Sequence, residues 1–592
     1  MHKSNNRATN HTSSLTNSIL SHKNSSKATG NKDISNRDSS HVWYKDKFLI
    51  VLLISIANLG DRPFWGDEIH LINLGESITA HGLPIVDDRI KNVESTYEID
   101  DTNNQGYHPS GVSYDIIVNG KEVYTLHPWA TSYVMALMML IFGYFSEFFI
   151  RLPFVLFGIA AIPVTYTLAM RLTNKRFTSI VASILLGLSV VFLLAIRCAD
   201  YYGIIIFCVP LIILSYIDVL SNMRYAPWMF CLSSVLLFHA QWVVFFSIML
   251  SVALHFLIYE RKWKSLKKFI FSIIIIFLFT FPWFYLTRQF DKSTVVPTAS
   301  QYLSLVSIGI YHYITWFVPL IFIIGLFIFF IVKYFYNKSF VRGFKKIYID
   351  SHKYSLLIIP AICSLIVLSF NYYTGTPIRY FYGLLSLAMI INACVIEMFW
   401  KKSKVFGVCI IALMLFTNII FIAPLIPLKA IFTNVAGSEN VLGTGTDNQQ
   451  AFFVKSLTIR TELCSYFYEI THHVQSSTRE IINTIQKYGI DWNGKNIFVA
   501  AGDSNSIGYY IGLKPRTNPN NFLTRDYDLI TMPVNDPRNK AINLKTYDKV
   551  EVKLSIDQWG DTADPVHHLF KTTSGEGFYI YKKNTQPSNL TK

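Results

Sequence analysis

The sequence is poor in charge. Only 15% of its 592 residues are Asp, Glu, Lys or Arg, whereas 51% are hydrophobic and 15% are aromatic. This balance excludes an ordinary soluble protein and is typical of a polytopic membrane protein. The net charge of +15 would suggest a nucleic-acid partner in a soluble chain, but the basic residues form short clusters between apolar runs. The positive-inside rule expects them there, so we expect membrane lipids around the chain and no nucleic-acid partner.

Cysteine motifs and a cleavable leader are also lacking. The seven cysteines include no CxxC pair, and six of them lie within or beside apolar runs. The sequence therefore shows neither a disulfide framework nor a cysteine metal site. Residues 1–42 are rich in Ser, Asn and Lys and lack the short apolar core of a signal peptide, which predicts a disordered tail.

Apolar runs long enough to be membrane-spanning candidates are frequent. The twelve runs lie near 44–60, 128–145, 148–170, 178–196, 203–220, 227–240, 242–259, 268–286, 311–335, 354–372, 379–399 and 404–424. The basic clusters can share one side of the membrane only if one of the first three runs does not span. The run 128–145 opens with His-Pro and ends in Gly, Tyr, Ser and Glu, so we predict a helix along the outer interface there and eleven spans elsewhere.

This topology predicts three domains. A disordered cytoplasmic tail, 1–42, precedes a transmembrane domain, 43–424, whose external loop 61–147 contains the interfacial helix. Residues 425–592 are predicted to form a soluble extracytoplasmic α/β domain, with a helix at "SSTREIINTIQKYG" and strands at "NIFVAA", "YDLIT", "YDKVEVKLS" and "GFYIYK". The predicted fold class is a polytopic α-helical membrane protein with about 11 transmembrane helices and this C-terminal domain.

Charged residues cluster at the outer ends of the predicted spans. Asp67 and Glu68 follow the first span, where a carboxylate could accept a proton from a hydroxyl substrate or could simply keep the loop outside. Arg197 and Asp200 lie in "AIRCADYY", at the outer end of the run 178–196. Charge at that depth is costly unless it is paired or functional, although an arginine there could also snorkel to lipid phosphate.

Two further stretches carry groups suited to an anion. In "YYTGTPIRYFYG", Arg379 lies among tyrosines, where a guanidinium could bind a phosphate or the aromatics could form an interfacial belt. In "LHPWATSY", His127 precedes the interfacial helix, whose N-terminus could help to bind an anion. A histidine in such a place can equally be structural.

The tail contains a weak hydrolase-like pattern. "VAAGDSNSIGYY" followed by "DPVHH" would supply Ser504, Asp564 and His567 as a triad of the SGNH type. No GxND block lies between the two elements, and Gly-Asp-Ser after a strand is an ordinary turn. Chance is the favoured interpretation.

Taken in order, the pieces resemble the membrane glycosyltransferases of the GT-C class. They are a first span, "WGDE", a helical "NLGESITAHGLP", a loop that ends in "HP", an interfacial helix, "SEFFIRLPFVLFGIAAIPVTYTLAMRL" and R-x-x-D after the next span. The sequence resembles the protein O-mannosyltransferase family and its bacterial relative, the lipid A aminoarabinose transferase. The resemblance covers residues 44–220 well, and "FPW" at 281–283 and "RY" at 379–380 less specifically.

This resemblance implies a sugar transfer from a polyprenyl-phosphate donor to an acceptor hydroxyl of a protein, lipid or glycan. The reaction would take place on the extracytoplasmic side, and the bacterial inner membrane is the expected location. By position, Asp67 would be the catalytic residue with Glu68 beside it. Asp200 would match the family's second acidic position, and Tyr380 would lie near the acceptor.

The residue that meets the donor phosphate is left open. Many relatives have Lys-Pro where this chain has His127 and Pro128. The phosphate could therefore contact His127, Arg197, Arg288 or Arg379. No cofactor is certain, although the acidic loop could hold a divalent metal without showing a diagnostic ligand spacing.

Two other functions use the same charges. A transporter or flippase of lipid-linked sugars would place them near the membrane midplane and often shows repeated halves, whereas here they lie at the outer rim and no repeat is evident. A non-catalytic subunit of a glycan-assembly complex would use the C-terminal domain instead. The extra segment 89–124 predicts either an acceptor-binding hairpin or a passive insertion.

Overall fold

The computed structural model describes most of the chain between residues 49 and 584. The described ranges are 49–86, 116–125, 127–143, 146–260, 263–289, 297–336, 340–370, 378–428, 462–471, 477–488, 495–500, 504–512, 526–552 and 577–584. The chain divides into two units, Met1–Ile54 and Ser55–Lys592, and every contact discussed below lies within the second. Residues 49–56 are helical.

The described parts of the chain between residue 61 and α3 contain two helices and a short hairpin. Its elements are α1 (Gly66–His81), β1 (Ile117–Val118), β2 (Lys121–Glu122) and α2 (Ala130–Phe142). Asn119 and Gly120 both have positive φ, as a two-residue Asn-Gly hairpin turn requires. The Val86 amide donates to the Glu122 carbonyl, 2.8 Å away, so the hairpin is tied to the chain that follows α1.

Helix α1 has clear start and stop signals. The Glu68 carboxylate accepts a hydrogen bond from the Trp65 amide, 3.2 Å away, and Asp67 and Glu68 place negative charge at the positive end of the helix dipole. The helix ends at Gly82, whose φ of +74° is readily adopted only by a residue without a Cβ atom. These signals fix Asp67 in the first turn of a helix.

The central part of the chain is a bundle of helices. They are α3 (Glu147–Thr173), α4 (Arg176–Gly187), α5 (Val190–Ile196), α6 (Tyr202–Leu220), α7 (Ala226–Ala240), α8 (Trp242–Tyr259), α9 (Trp263–Leu286), α10 (Ala299–Trp316), α11 (Leu320–Tyr336), α12 (Phe340–Leu368), α13 (Leu385–Trp400), α14 (Lys404–Phe416) and α15 (Ile419–Ile422). Two 3₁₀ segments, Ile378–Leu384 and Ala423–Leu428, precede α13 and follow α15.

Several of these helices have the length and composition of membrane spans. Five are long and apolar enough, namely α3, α6, α8, α9 from Leu266, and α13 together with the turn from Arg379. Three pairs qualify only together and are bent, α4 with α5 by 57°, α10 with α11 by 90° and α14 with α15 by 87°. The described chain is thus an integral membrane protein with five to eight candidate spans.

The predicted count of eleven spans is not confirmed. The run 227–240 forms a helix of only 15 residues, α7, and the run 354–372 supplies only the last part of α12. The first predicted span, 44–60, begins outside the described residues. Helix α2 has 13 residues and is therefore about 20 Å long, short of the roughly 30 Å of a hydrocarbon core.

Helix α3 packs very closely on the turn between α5 and α6. A Cβ atom on Gly203 would overlap the Phe154 carbonyl oxygen, and one on Gly158 would overlap the Ile196 side chain. Glycine at both positions lets the backbones approach, as at other close helix contacts in membranes. The outer end of α3 is thereby held against the segment that carries Asp200.

The C-terminal residues form a small α/β unit, called the C-terminal unit below. Its elements are α17 (Ser477–Lys487), β3 (Ile497–Val499), α18 (Ser504–Ile511), β4 (Leu529–Pro533), β5 (Tyr547–Val552) and β6 (Phe578–Lys583), preceded by a separate helix α16 (Glu462–Thr471). The sheet order is β3-β4-β6-β5, with β3 parallel to β4 and the other pairs antiparallel. The strands overlap the four predicted runs, while the boundary at residue 425 and the side of the membrane remain predictions.

Candidate active site

Asp67 and Arg379 form an ion pair at one end of the bundle. One Asp67 carboxylate oxygen lies 2.5 Å from Nη1 of Arg379, which belongs to the 3₁₀ segment before α13. The Asp67 side chain is 44% exposed and that of Arg379 is 21% exposed. The structure thus brings together two predicted site residues that are 312 positions apart, and it leaves the carboxylate accessible.

Glu68, the neighbour of Asp67, lies in a different environment. Its carboxylate accepts two hydrogen bonds from Arg151 of α3, at 2.9 and 2.6 Å, and a third from the Ala199 amide at 2.6 Å. The Glu68 side chain is only 1% exposed. With the bond from the Trp65 amide in addition, all of its acceptor directions are used, and it connects α1, α3 and the turn before α6.

Arg151 completes this buried contact. Besides Glu68, its guanidinium donates to the backbone carbonyls of Leu59, Arg62 and Pro63 at 2.9 to 3.1 Å. It therefore fixes the chain that leads into α1 as well as the first turn of the helix. Because Arg151 and Glu68 are buried together as an ion pair, neither charge is left inside the protein without a partner, which would be very costly.

Two histidines lie within electrostatic reach of Asp67. Burial lowers the pKa of His70 to about 4, with His127 acting in the same direction and the Asp67 carboxylate opposing it. Desolvation of its ring and the Arg379 guanidinium lower the pKa of His127 to about 4, again against Asp67. The accessible surface of the His127 residue as a whole classes it as exposed. Both histidines are therefore neutral at pH 7, and the fixed positive charge beside Asp67 is that of Arg379.

Asp200 is a buried carboxyl in the turn between α5 and α6. Its Oδ1 accepts from the Tyr201 amide at 2.6 Å, while Oδ2 makes no well-formed hydrogen bond to the described part of the chain. The Tyr202 hydroxyl is close enough to lower the pKa of Asp200, but its geometry is not that of a well-formed hydrogen bond. Burial raises the pKa of Asp200 to about 8, and Asp67 adds to the shift while Arg379 opposes it. Asp200 is thus protonated at neutral pH.

Aromatic rings enclose the inner side of the ion pair. Tyr201 and Tyr380 are stacked, with ring centroids 6.3 Å apart and planes 7° apart, and Tyr202 meets Tyr382 edge to face at 5.4 Å. The Arg379 guanidinium lies 5.6 Å from the Tyr380 ring centroid. Such faces suit both a cation and the apolar face of a sugar.

The other two arginines considered from the sequence occupy different places. Arg197 donates to the carbonyls of Ala57 and Asn58 at 2.6 and 3.1 Å and also reaches the Tyr466 hydroxyl at 3.3 Å. Its guanidinium is therefore engaged by the chain before α1. Arg288 is exposed and has a φ of +48°, and its neighbour Gln289 donates to the Thr125 carbonyl at 2.5 Å, close in sequence to His127.

Some predicted features lie outside the described residues. They include most of the segment 89–124, the loop residues Asp87 and Asp88, and Asp564 and His567 of the hydrolase-like pattern. In the ranges given above, no three His, Cys, Asp or Glu side chains come together as a metal site would require.

Two important residues were missed by the sequence reasoning. His70 follows Asp67 by three positions, so both lie on one face of α1, and this spacing could have suggested it. Arg151 lies inside the predicted span 148–170, where an unpaired arginine would be very costly. That cost indicates a buried acidic partner, and the outer loop that precedes this span offers Asp67 and Glu68 as candidates.

Solved structures of two membrane proteins are similar to this chain, whereas no family model and no curated protein matches it. ArnT from Cupriavidus metallidurans in the apo state has a TM-score of 0.48 and 11% identity, over 92% of this chain and 98% of that chain. The same protein bound to undecaprenyl phosphate gives a TM-score of 0.47 at the same identity and coverage. The oligosaccharyltransferase AglB from Archaeoglobus fulgidus, in complex with an inhibitory peptide and a dolichol-phosphate, has a TM-score of 0.40 and 11% identity, over 86% of this chain and 70% of that chain.

Proposed function

We propose that this protein is an integral-membrane glycosyltransferase that moves one sugar from a polyprenyl-phosphate donor to an acceptor hydroxyl on the extracytoplasmic side. The observation that carries the proposal is the half-exposed Asp67 carboxylate, paired with Arg379 at the outer end of the bundle. An accessible base beside a fixed cation is the arrangement that this reaction needs, because a proton is removed from one substrate while negative charge develops on the other.

Arg379 is the residue that meets the donor phosphate. Its Nε is buried and makes no hydrogen bond to the described residues, so the guanidinium keeps donor capacity beyond its bond to Asp67. A guanidinium can bind a phosphate through two parallel hydrogen bonds.

The remaining cationic candidates have secondary roles. His127, being neutral, offers the phosphate a hydrogen bond rather than a charge. Arg288 is exposed beside the same loop and is placed to attract the anionic donor. Arg197 is already engaged by backbone carbonyls, and we assign it to the support of the chain before α1.

The reaction is a direct displacement. The acceptor hydroxyl oxygen forms a bond to the anomeric carbon, and the bond between that carbon and the phosphate oxygen breaks. The electron pair goes to the polyprenyl phosphate next to Arg379, and the hydroxyl proton goes to Asp67. A single displacement inverts the configuration at the anomeric carbon.

Three predicted site residues support this step without carrying it. Glu68 is saturated by Arg151 and Ala199, so it positions α1 rather than exchanging protons. Asp200 is buried and protonated at neutral pH, so it adds no second negative charge near Asp67. Tyr380, stacked on Tyr201, offers an aromatic face to a sugar ring.

The test uses the full chain purified in detergent or nanodiscs. The protein is incubated with a panel of labelled polyprenyl-phosphate sugars and mixed hydroxyl acceptors, and the release of free polyprenyl phosphate is measured. Asp67→Asn should slow the release by about 10²- to 10⁴-fold, the usual contribution of a general base. The matched control is Asp61→Asn, which removes an exposed carboxylate from the same loop and should leave the rate unchanged.

Two outcomes would contradict the proposal. If Asp67→Asn releases polyprenyl phosphate at the wild-type rate, Asp67 is not the base. If the protein moves the labelled donor across a vesicle bilayer but never releases polyprenyl phosphate, the transporter alternative is correct.

A further inference from the structure

One short helix of the C-terminal unit contacts the chain just before α1. It is α18, the helix that follows the "GDS" of the hydrolase-like pattern. Ser506, Tyr509 and Tyr510 of this helix contact α1 or the chain just before it, and Tyr510 also packs against the apolar core of the C-terminal unit. The stretch that begins at Ser504 therefore supplies contacts to the chain that leads into α1.

Both backbone polar groups of Phe64 are bound by α18. The Phe64 amide donates to the Tyr510 hydroxyl at 3.2 Å, and the Ser506 hydroxyl donates to the Phe64 carbonyl. The Phe64 and Tyr510 rings are stacked, with centroids 6.5 Å apart and planes 12° apart. Phe64 is only 1% exposed, so no water would replace these bonds if they were lost.

The same helix reaches α3 and the far end of α1. The Tyr510 hydroxyl donates to Glu147 at 2.7 Å, and Arg479 of α17 binds the same carboxylate at 2.6 Å. Burial raises the pKa of Tyr510, so its hydroxyl keeps the proton that it donates. The Tyr509 hydroxyl donates to Glu76 of α1 at 3.1 Å.

Phe64 also connects this surface to the buried pair below Asp67. The Arg151 guanidinium lies 5.1 Å from the Phe64 ring centroid, and Arg151 in turn holds Glu68. The first turn of α1 is thus fixed from two directions. Arg151 of the membrane bundle holds its inner side, and Tyr510 and Ser506 of the C-terminal unit hold the residue three positions before Asp67.

We propose that Ser506 and Tyr510 are positioning residues of the candidate active site, through which the C-terminal unit sets the direction in which Asp67 faces Arg379. The contact to Phe64 is independent of the chemistry performed at Asp67. Only the expected effect on turnover rests on the proposed glycosyltransferase function. A small displacement of a catalytic group can cost a large factor in rate, so a contact at Phe64 can govern turnover without touching substrate.

The first measurement is hydrogen exchange of the purified full chain, which needs no substrate. Tyr510→Phe keeps the stacked ring and removes only the hydroxyl. Peptides covering residues 62–70 should exchange about 10-fold faster, because a buried backbone bond is lost at Phe64. The control is Tyr547→Phe, which removes a hydroxyl donated at 2.8 Å to the Tyr527 carbonyl inside the same unit. Equal exchange of these peptides in the two variants would overturn the proposal.

The second measurement is turnover in the assay described above. Tyr510→Phe should lower kcat by about 10-fold and leave the KM for the donor within about twofold of the wild type, because the phosphate contact at Arg379 is retained. A loss of thermal stability with an unchanged kcat would show a docking role alone and would also overturn the proposal. If wild-type protein has no activity, the glycosyltransferase function fails while the exchange result still decides the contact. Ser506→Ala makes the same test if Tyr510→Phe does not fold.

Discussion

Asp67 and Glu68 are adjacent in sequence, and each is paired with an arginine from a distant segment, yet the two pairs differ in almost every other respect. The Asp67 side chain is 44% exposed and contacts Arg379 at 2.5 Å. The Glu68 side chain is 1% exposed and accepts two bonds from Arg151. Successive residues of a helix point about 100° apart, so one carboxylate faces the outer opening and its neighbour faces the core. Two adjacent acidic residues at the start of a helix can therefore differ in role, one presenting an accessible carboxylate and the other holding the helix in place.

Because one ion pair is buried and the other is exposed, two similar substitutions should lower the stability of the protein by very different amounts. Breaking the buried pair leaves a charge inside the protein without a partner, whereas breaking the exposed pair leaves groups that water can solvate. Substitutions of Glu68 and Asp67 test this contrast, and a substitution of the nearby Asp200 tests the buried environment itself.

Glu68→Gln should cause the largest loss of stability. It leaves Arg151 buried without a countercharge, which typically costs about 3–5 kcal/mol of unfolding free energy. Unfolding of the purified protein in mixed detergent micelles measures the loss. The double variant Glu68→Gln, Arg151→Met should recover part of it, since it removes the buried charge as well. A wild-type unfolding midpoint for Glu68→Gln alone would mean that the pair does not hold α1.

Asp200 should make stability depend on pH. Its folded pKa of about 8 lies above the ordinary value of 3.8, so between these two pH values the folded state holds a proton that the unfolded chain has released. Stability should fall as pH rises from about 4 to 8, at most about 1.4 kcal/mol per pH unit, and this contribution stays constant above pH 8. Asp200→Asn removes the proton exchange, so the Tm of this variant relative to wild type should increase with pH.

A suitable control for the pH series is Asp548→Asn, which changes an exposed carboxylate of β5. Its Tm should follow that of the wild type at every pH. A constant Tm difference between Asp200→Asn and wild type from pH 5 to pH 8 would contradict the buried, protonated state of Asp200.

Asp67→Asn should have the smallest effect on stability, below about 1 kcal/mol, because an ion pair open to solvent contributes little to folding. The same unfolding measurement as for Glu68→Gln gives the comparison directly. A loss as large as that of Glu68→Gln would remove the distinction between the two pairs, even if activity is also lost.

Part of the site could be predicted from the sequence because charged residues are unexpected at the ends of apolar runs. Asp67, Asp200 and Arg379 all follow or precede apolar runs, and the structure places them within electrostatic reach of one another. Their pairing could not be predicted, since nothing in the local pattern indicates which arginine meets which carboxylate across 312 positions. Positional analogy singled out Asp67, but it could not predict that Glu68 is buried against Arg151, because that depends on which face of α1 is buried.

The fold, too, could be predicted from the sequence only in part. Hydrophobic runs predicted where helices occur, but the number of spans depends on bends that the runs do not reveal. The run 404–424, for example, contains an 87° bend between α14 and α15. The strands of the C-terminal unit were recognisable from their β-branched and aromatic residues. The contact of α18 with Phe64 was not, because it depends on tertiary placement alone.

The glycine contacts between α3 and α6 restrict how this site can change during evolution. Gly203 and Gly158 hold the backbone of α3 against the turn that carries Asp200. Larger residues there would push α3 away from the turn before α6, and Glu68 binds both segments. The spacing between α3 and this turn therefore cannot change in small steps. Under the proposed function, selectivity for a new sugar or acceptor would then come from residues outside this contact, such as Tyr380 beside Arg379. The close contact between α3 and α6 is therefore fixed, whereas the residues around Arg379 can vary independently of it.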